Sequence, residues 1–317
     1  MEDLLRNERF VAAYERLRDV FLNPRRHTAR DAHAHSEAVA HHAACLALSN
    51  RRSSSEAMLL TNLGRAHDIG KITGTAHPAR SLEVLATCGV TDPGLLALVK
   101  WHDTSLPWQT SALRGNAPSD KAWRRLASEV DLGLLCLFMV ADRVDAPGGF
   151  RRNAPTTWFI AEARTRGLVG DLELEVEGHP SEICAGAALV MRDEEGPSVL
   201  AIRARGAAWE LPKGGIEWNE LPGEAALREL REESGALGDL RVAAELGHLQ
   251  YFFGTGRDRR LKLVRYYVAR ASEVPRFGDL PEGTLERRWL RARDLESTPL
   301  VSEDLRPLLR AALDGAS

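Results

Sequence analysis

Hydrophobic residues in the first half of the chain recur at three- and four-residue intervals, as in Met58, Leu59, Leu63 and Ala66. This spacing is typical of helices that turn one face to a core. Gly and Pro fall between the periodic segments. The pattern predicts helices over 2–21, 29–49, 55–68, 78–88, 93–101, 119–144 and 155–167.

From about residue 181 the pattern changes to short runs of the kind that form strands. These runs predict strands over 183–191, 198–202, 241–251, 262–269 and 287–290. Two amphipathic segments, 221–234 and 302–313, predict helices among them. The sequence therefore predicts two domains, an all-α domain over 1–170 and an α/β (α+β) domain over 181–317. The stretch 168–180 contains Gly, Pro and acidic residues and is the expected linker.

Composition and charge narrow the class of protein. A chain of 317 residues exceeds what one core usually holds, and 44% hydrophobic with 27% charged residues is ordinary for a globular protein. The net charge of −3 gives no general attraction to nucleic-acid phosphates. The longest apolar run, 132–141, is far shorter than the roughly 20 residues a bilayer requires. We expect a cytoplasmic protein that does not enter a membrane.

Cysteine spacing argues against a structural framework built on sulfur. The four cysteines lie far apart and form no C-x-x-C pair, which predicts neither a zinc ribbon nor a disulfide scaffold. We expect buried thiols in a reducing compartment. The residues concerned are Cys45, Cys88, Cys136 and Cys184.

A dense carboxylate pattern lies in the second half, G-x5-E-x7-R-E-U-x-E-E-x-G-U with U apolar. Its fixed positions are Gly214, Glu220, Arg228, Glu229, Glu232, Glu233 and Gly235. On a helix Glu229, Glu232 and Glu233 stand at i, i+3 and i+4, so three repelling carboxylates share one face. A hard divalent cation relieves that repulsion best, and Arg228 can orient a ligand by a bidentate pair. The alternative is a salt-bridged surface helix.

This segment resembles the Nudix box. The resemblance implies a Nudix fold over 181–317 with a mixed sheet and a catalytic helix. It also implies that Glu229, Glu232 and Glu233 bind Mg²⁺ or Mn²⁺, with Arg228 among the catalytic residues. The implied reaction is attack by a metal-activated water on a phosphoanhydride of a nucleoside diphosphate derivative. The proton acceptor stays open between a helix glutamate and Glu286.

Substrate contacts are implied by a second, weaker resemblance. The run WELPKGG at 209–215 resembles the segment before the box in Nudix enzymes acting on dinucleoside polyphosphates and diphosphoinositol phosphates. Lys213 would then contact a polyphosphate, with Tyr251 and Lys262 also contacting substrate. Tyr266 lies in the same region. The alternative for both tyrosines is packing on the sheet.

Histidines cluster in the first half, where eight of the ten lie between residues 27 and 102. Several fall at or near predicted helix ends, so that separate helices can point them into one pocket. Imidazole and carboxylate together suit transition metals such as Mn, Fe, Co, Ni or Zn. The candidate ligands are His35, His67, Asp68, His77, His102 and Asp142.

The order of H, then HD in HDIGK, then a late D in ADRVD resembles the HD phosphohydrolase superfamily over about residues 25–150. The resemblance implies a metal quartet of His35, His67, Asp68 and Asp142, with His77 and His102 as ligands of a second metal. Lys71 would bind phosphate, and Asp68, a catalytic residue, could bridge two ions.

Other roles compete for several histidines. The alternative for His77 is a helix N-terminal residue without metal. His33, His41 and His42 are expected to be surface or packing residues, and the loop residues His27 and His179 are expected to have no role.

Taken together, the two resemblances predict a bifunctional phosphohydrolase. The Nudix half would cleave a phosphoanhydride in a small-molecule nucleotide, and the HD half a phosphomonoester or phosphodiester in a nucleotide or at an RNA end. One alternative is a nucleotide-sensing Nudix module that regulates the HD half, and another is an HD half that serves as a scaffold. The sequence leaves the oligomeric state open.

Overall fold

The computed structural model describes residues 2–204 and 206–315. The chain divides into two compact units, Met1–Ser181 and Glu182–Ser317, here called the N-terminal and C-terminal units. In the described part of the chain, no helix has both the length and the apolar character needed to cross a membrane.

The N-terminal unit is all-helical, as the periodicity predicts. Short 3₁₀ turns connect some of its helices, including Arg16–Asp19 and Ile69–Thr73. Its α-helices are α1 Glu8–Glu15, α2 Ala32–Ser49, α3 Ser54–Ala66, α4 Pro78–Thr87, α5 Pro93–Trp101, α6 Ser105–Leu113, α7 Asp120–Glu129, α8 Leu132–Ala141 and α9 Ala154–Thr165.

Helix α8 forms the centre of this unit. All ten of its residues are buried, from Leu132 to Ala141. A helix that is hydrophobic on every side is stable only when neighbours surround it, and α8 packs against α2, α3 and α9. The apolar run that is too short for a membrane is therefore the core of the fold, and Asp142 is the residue at its C-terminal end.

Two helix predictions differ from the structure, and one helix was not predicted. The segment 119–144 is two helices, because Val130 is extended and the Asp131 side chain accepts from the Leu134 amide and starts α8. The first helix begins at Glu8 rather than residue 2, where the Asn7 side chain caps it. Helix α6 was not predicted; it holds Pro107 in its first turn, where proline is tolerated.

Helices α2 and α3 approach closely at Gly64. A Cβ on Gly64 would lie 2.4 Å from Ala40 Cα, a distance that side chains do not reach. Glycine therefore sets the separation of these helices. His35 lies on α2 and His67 at the C-terminal end of α3, so this contact also positions the histidines.

The expected linker folds onto the N-terminal unit. The Asn50 side chain donates to the Glu173 carbonyl at 2.7 Å and accepts from the Glu173 amide at 2.8 Å. Leu174 is buried in the helical core, and Arg151 pairs with Glu175 at 2.6 Å. Residues 173–175 are thus ordered by tertiary contacts that their composition does not reveal.

The C-terminal unit contains every strand that the sequence predicts, together with three very short ones that it does not. Strands of two or three residues are too short to show the alternation of apolar and polar residues that predicts a strand. The strands are β1 Glu182–Asp193, β2 Gly196–Arg203, β3 Lys213–Gly215, β4 Ala236–Leu237, β5 Leu240–Phe253, β6 Arg260–Ala271, β7 Arg276–Phe277 and β8 Glu286–Leu290. Its helices are α10 Pro222–Ser234, α11 Ala292–Leu295 and α12 Leu305–Asp314.

The main sheet has the order β5-β6-β1-β2-β8, with β3 paired to β1. Strands β1 and β6 are parallel and the other pairs are antiparallel, so the sheet is mixed as expected. Alternate residues of β1 enter two cores: Ile183 packs on the α10 side and Cys184 on the α12 side. Burial on both faces explains why β1 is apolar without alternation.

Candidate active sites

Helix α10 carries the three carboxylates and is fixed at both ends. Pro222 occupies its first turn, and the Glu224 side chain accepts from the Leu221 amide at 3.0 Å. Gly235 ends the helix at φ 69°, the left-handed conformation that favours glycine. The buried side chain of Leu230 anchors the helix to the sheet. The opposite face is therefore held in a defined orientation.

Arg228 gathers the acidic side chains around one guanidinium. It donates to both carboxylate oxygens of Glu220 at 2.9 Å, to Glu229 Oε1 at 2.6 Å and to Glu232 Oε2 at 3.0 Å. It also donates to the Gly215 carbonyl at 2.7 Å. Hydrogen bonding to Glu220 is the largest of the causes that raise the Arg228 pKa. Arg228 therefore brings Glu229 and Glu232 together.

Glu233 is held separately by the backbone of β3. Its Oε2 accepts from the Lys213 amide at 2.6 Å. Burial raises the pKa of Glu233 to about 7, although the Lys213 amide and side chain oppose this. The Lys213 ammonium forms an ion pair with Glu210. The structure thus places Lys213, a predicted substrate residue, directly beside a predicted metal ligand.

Gly214 permits the close approach of β3 to Glu229. A Cβ on Gly214 would lie 2.2 Å from the carboxyl carbon of Glu229. Glu229 is only 9% exposed, so its carboxylate has little space to move aside. This contact gives a physical reason for the first glycine of the sequence pattern.

The charges of this cluster suit a hard divalent cation. Glu229 and Glu232 share a single guanidinium, which also binds Glu220 with both of its other nitrogens. Negative charge therefore exceeds positive charge on this helix face. Oxygen donors in excess of their counter-charge are the ligands that Mg²⁺ and Mn²⁺ prefer. The residues present fit such an ion.

Comparison with known proteins agrees with this geometry. The family model described as NUDIX domain matches residues 183–312. Residues 183–312 form a NUDIX domain.

Two curated relatives and one solved structure resemble the chain. The RNA pyrophosphohydrolase of Halorhodospira halophila (strain DSM 244 / SL1) is 47% identical over 82 residues, which are 26% of this chain and 41% of that protein. The Homo sapiens protein Diphosphoinositol polyphosphate phosphohydrolase NUDT4B is 30% identical over 110 residues, 34% of this chain and 58% of that one. The chain thus spans about half the length of these relatives. A C. elegans Ap4A hydrolase binary complex has a TM-score of 0.34 and 21% identity, covering 41% of this chain and 93% of that one.

The remaining substrate candidates lie on β5 and β6 of the NUDIX domain. Tyr251 is 37% exposed and faces Lys262 across the strand pair. The Lys262 ammonium lies 3.4 Å from Glu182 and 4.3 Å from the Phe253 ring centroid. Tyr251 is accessible to a ligand, whereas Tyr266 is 2% exposed and packs in the core, as the packing alternative expects.

A second cluster lies in the N-terminal unit, outside the NUDIX domain, where four predicted ligands meet. His67 Nε2 is 3.3 Å from Asp68 Oδ2 and 3.2 Å from Asp142 Oδ1. His35 Nε2 is 3.3 Å from Asp142 Oδ1 and 4.0 Å from Asp68 Oδ2. All four side chains are buried. They come from α2 and from the C-terminal ends of α3 and α8.

Backbone contacts set the ring orientation of two histidines. His67 Nδ1 lies 2.8 Å from the Gly64 carbonyl, and His102 Nδ1 lies 2.7 Å from the Val99 carbonyl. Since a carbonyl only accepts, each Nδ1 carries a proton, and Nε2 is the ring nitrogen left to face a ligand. Among the described residues, the buried His67 Nε2 has no hydrogen-bond partner of ordinary geometry. These residues therefore fit a transition-metal ion.

His102 adjoins the quartet. Two cationic side chains, Lys71 and Arg143, pair with the carboxylates of the quartet. The His67 and His102 rings stand edge to face with centroids 5.3 Å apart. The Lys71 ammonium lies 2.5 Å from Asp68 Oδ2, and Arg143 pairs with Asp142. Burial opposes protonation of His67, but Asp68 and Asp142 outweigh it and raise the His67 pKa to about 10. A second proton, on His67 Nε2, therefore balances the two carboxylates, and a bound metal ion would take the place of that proton.

Asp145 and His27 are site residues that the sequence interpretation missed. His35 Nδ1 lies 3.1 Å from Asp145 Oδ1, and His27 Nδ1 lies 3.2 Å from Asp145 Oδ2. His27, which was expected to have no role, thus contacts a carboxylate of the predicted cluster. A signal existed, because Asp145 follows Asp142 by three residues in ADRVD. A single turn there brings both carboxylates to the same ring.

His77 lies in a different environment from the other predicted metal ligands. His77 is exposed, and its Nδ1 accepts from the Ala79 amide at 3.2 Å, which caps α4. In the part of the chain that the structure describes, His77 belongs to no group of three ligand side chains within 4.8 Å of one another. The structure favours the helix-cap alternative for this residue.

Proposed function

We propose that the NUDIX domain hydrolyses a phosphoanhydride bond in a nucleotide-type substrate, using Mg²⁺ or Mn²⁺ held by Glu229, Glu232 and Glu233. The observation that carries the proposal is the arrangement of these carboxylates on one face of α10, where Arg228 holds Glu229 and Glu232 and the Lys213 amide holds Glu233. The relatives named an RNA pyrophosphohydrolase and a diphosphoinositol polyphosphate phosphohydrolase support the bond type.

The residues around this site suggest a division of roles. A bound divalent cation supplies charge neutralisation and a more acidic water. Arg228 holds Glu229 and Glu232 in place through hydrogen bonds of 2.6 and 3.0 Å. Glu286 is engaged in an ion pair with Arg203 at 2.6 Å. The glutamates of α10 are engaged in the same way, so the proton acceptor stays open between one of them and Glu286.

A polyphosphate-containing substrate, such as a nucleoside diphosphate derivative or a dinucleoside polyphosphate, fits the surroundings. Lys213 lies beside Glu233. Burial raises the pKa of the accessible Tyr251, and the nearby positive charge of Lys213 opposes that rise. We propose that Lys213 contacts phosphate and that Tyr251 contacts the base. Lys262 is paired with Glu182, so its role as a phosphate contact requires exchange of that ion pair.

For the N-terminal unit we propose hydrolysis of a phosphomonoester or phosphodiester in a nucleotide or at an RNA end, with a transition metal bound by His35, His67, Asp68 and Asp142. The carrying observation is the buried Nε2 of His67, which faces Asp68 and Asp142 while its Nδ1 donates to the Gly64 carbonyl. His102 adjoins this quartet as a further nitrogen donor.

Lys71 would then bind phosphate beside the metal. Its ammonium is already held at Asp68, so an incoming phosphate meets both the cation and this positive charge. Asp68 has a carboxylate that could bridge two ions, as the resemblance implies.

The test separates the two sites by their products. The full chain, a His67→Ala/Asp68→Ala variant and a Glu232→Gln/Glu233→Gln variant are incubated with Mn²⁺ and nucleotides, diadenosine tetraphosphate and phosphate-ended oligonucleotides. Products are resolved by mass. Glu245→Gln is the control, because Glu245 is an exposed strand residue paired with Arg265.

We expect the two double variants to lose different reactions and the control to lose none. Loss of one common reaction, or tight binding of unchanged nucleotide without product, would reject the bifunctional enzyme and favour the nucleotide-sensing alternative. If the His67→Ala/Asp68→Ala variant retains every activity of the wild type, the N-terminal unit is a scaffold.

A further inference from the structure

We propose that His41, Cys45 and His179 form a third metal site, which takes a divalent transition metal that prefers thiolate and imidazole, namely Zn²⁺. The site goes beyond the two phosphohydrolase centres and does not depend on either activity. It lies entirely within the N-terminal unit.

Two of the ligands lie one helical turn apart on α2. His41 and Cys45 stand at i and i+4, so their side chains lie on the same face. Cys45 Sγ and His41 Nε2 are 3.9 Å apart. Zinc–sulfur and zinc–nitrogen bonds of about 2.3 and 2.0 Å in tetrahedral geometry require about 3.6 Å between these atoms. A small side-chain rotation closes the difference.

The third ligand comes from a segment that tertiary contacts bring back to α2. His179 is separated from Cys45 by more than a hundred residues, yet the ligand atoms of all three side chains lie within 4.8 Å of one another. A turn positions His179, since its amide donates to the Val176 carbonyl at 3.0 Å and Gly178 adopts φ 81°. This turn follows the ordered contacts of residues 173–175.

His42 fixes the orientation of the His179 ring. The two rings are stacked at 4.2 Å with an angle of 11° between their planes. His42 is 3% exposed, and among the described residues neither of its ring nitrogens has a hydrogen-bond partner of ordinary geometry. The stacked His42 ring covers one face of the His179 ring. The nitrogens of His179 lie at the edge of that ring and can still bind a metal ion.

Donor type and exposure define what would bind. One sulfur with two imidazole nitrogens is a borderline set that suits Zn²⁺ better than Mg²⁺. Cys45 is partly exposed and His41 is exposed, so an ion can enter and water can complete the tetrahedron. The expectation that all four cysteines are buried is therefore wrong for Cys45. Bound Zn²⁺ would cross-link His179 to α2.

Cobalt substitution tests this site without reference to activity. The full chain is titrated with Co²⁺ and the thiolate-to-cobalt charge-transfer band is recorded. The described carboxylate and histidine–aspartate clusters use no sulfur ligand, so the band reports on Cys45. We expect it in the wild type, its loss in Cys45→Ser, its reduction in His179→Ala and its retention in the control Cys88→Ser.

Zinc stoichiometry gives a second readout. Cys45→Ser should bind one equivalent of Zn²⁺ less per chain than the wild type, with an unchanged circular dichroism spectrum because Cys45 is not a core residue. Absence of the band from the wild type, or its persistence in Cys45→Ser with full stoichiometry, would overturn the proposal.

Discussion

His35 stands between two carboxylates, with its Nδ1 3.1 Å from Asp145 Oδ1 and its Nε2 3.3 Å from Asp142 Oδ1. An acid on one nitrogen of a metal-binding imidazole fixes the tautomer and increases the basicity of the other nitrogen. We infer that Asp145 positions the predicted ligand His35 through this ion pair, although the two atoms lack ordinary hydrogen-bond geometry. It also contacts His27 and so joins the connecting segment after α1 to the site.

Replacing Asp145 should therefore weaken metal binding by the N-terminal unit. We expect Asp145→Asn to lower its affinity for Co²⁺ or Ni²⁺ by about 10- to 100-fold, since the oriented carboxylate is lost while the volume is kept. Competition with a chromophoric chelator measures this in a background that combines Glu232→Gln/Glu233→Gln with Cys45→Ser, which removes the other two proposed metal sites. An unchanged affinity would show that Asp145 does not position His35.

His77 should be replaceable by another capping residue. Asparagine also accepts a hydrogen bond at a helix N-terminus, so His77→Asn should preserve α4 and leave metal stoichiometry as in the wild type. Metal analysis and thermal melting provide the measurements. A lost equivalent of metal in this variant would instead establish His77 as a ligand.

Adding one methyl group at Gly214 should disable the NUDIX site while the fold survives. The new Cβ would overlap the Glu229 carboxylate, which is the flexible end of its side chain and must move. A displacement of about 1 Å at a catalytic group costs roughly 100-fold in rate. We expect that loss for Gly214→Ala in phosphoanhydride hydrolysis.

Gly223→Ala is the matched control for this variant. Its added Cβ would meet Val242 Cγ2 at 3.3 Å, so a slight shift suffices. Activity should stay near that of the wild type. Equal losses in both glycine variants would mean that the contact between Gly214 and Glu229 has no special importance.

Arg228 should not tolerate lysine. The guanidinium binds both oxygens of Glu220 and also reaches Glu229 and the Gly215 carbonyl, whereas an ammonium lacks this planar fork. Arg228→Lys should reduce turnover by about 10- to 100-fold through loss of ligand orientation. Raising the Mn²⁺ concentration should restore part of the lost turnover. It would not do so if Arg228 acted only in folding.

The reactivity of each cysteine should depend on how exposed its thiol is. Burial raises the pKa of Cys136 to about 12, so at pH 8 the thiolate fraction is about 10⁻⁴. Cys136, which is also inaccessible, should resist alkylation in the native protein until the chain unfolds, whereas the partly exposed Cys45 should react in the metal-free protein. Mass spectrometry of iodoacetamide-treated protein identifies the modified residue. Rapid labelling of Cys136 at pH 8 would contradict its burial.

Local pattern was sufficient for much of the fold. Three- and four-residue periodicity determined the all-helical half, and β-prone runs determined the longer strands. Glu229, Glu232 and Glu233 needed only helical geometry to share a face, because their spacing is local. The break between α7 and α8 was missed because apolar periodicity continues through Val130, and only the capping of Asp131 reveals it.

Long-range contacts decided what the sequence left open. The sequence alone determined the two secondary-structure classes, the acidic face of α10 and a histidine-rich half, since these depend on spacing within one or two turns. Only the tertiary structure joined His35 to Asp145, aligned Gly214 with Glu229 and brought His179 to Cys45. Such pairs depend on how separate elements pack, and close packing is a property of the whole core rather than of any segment.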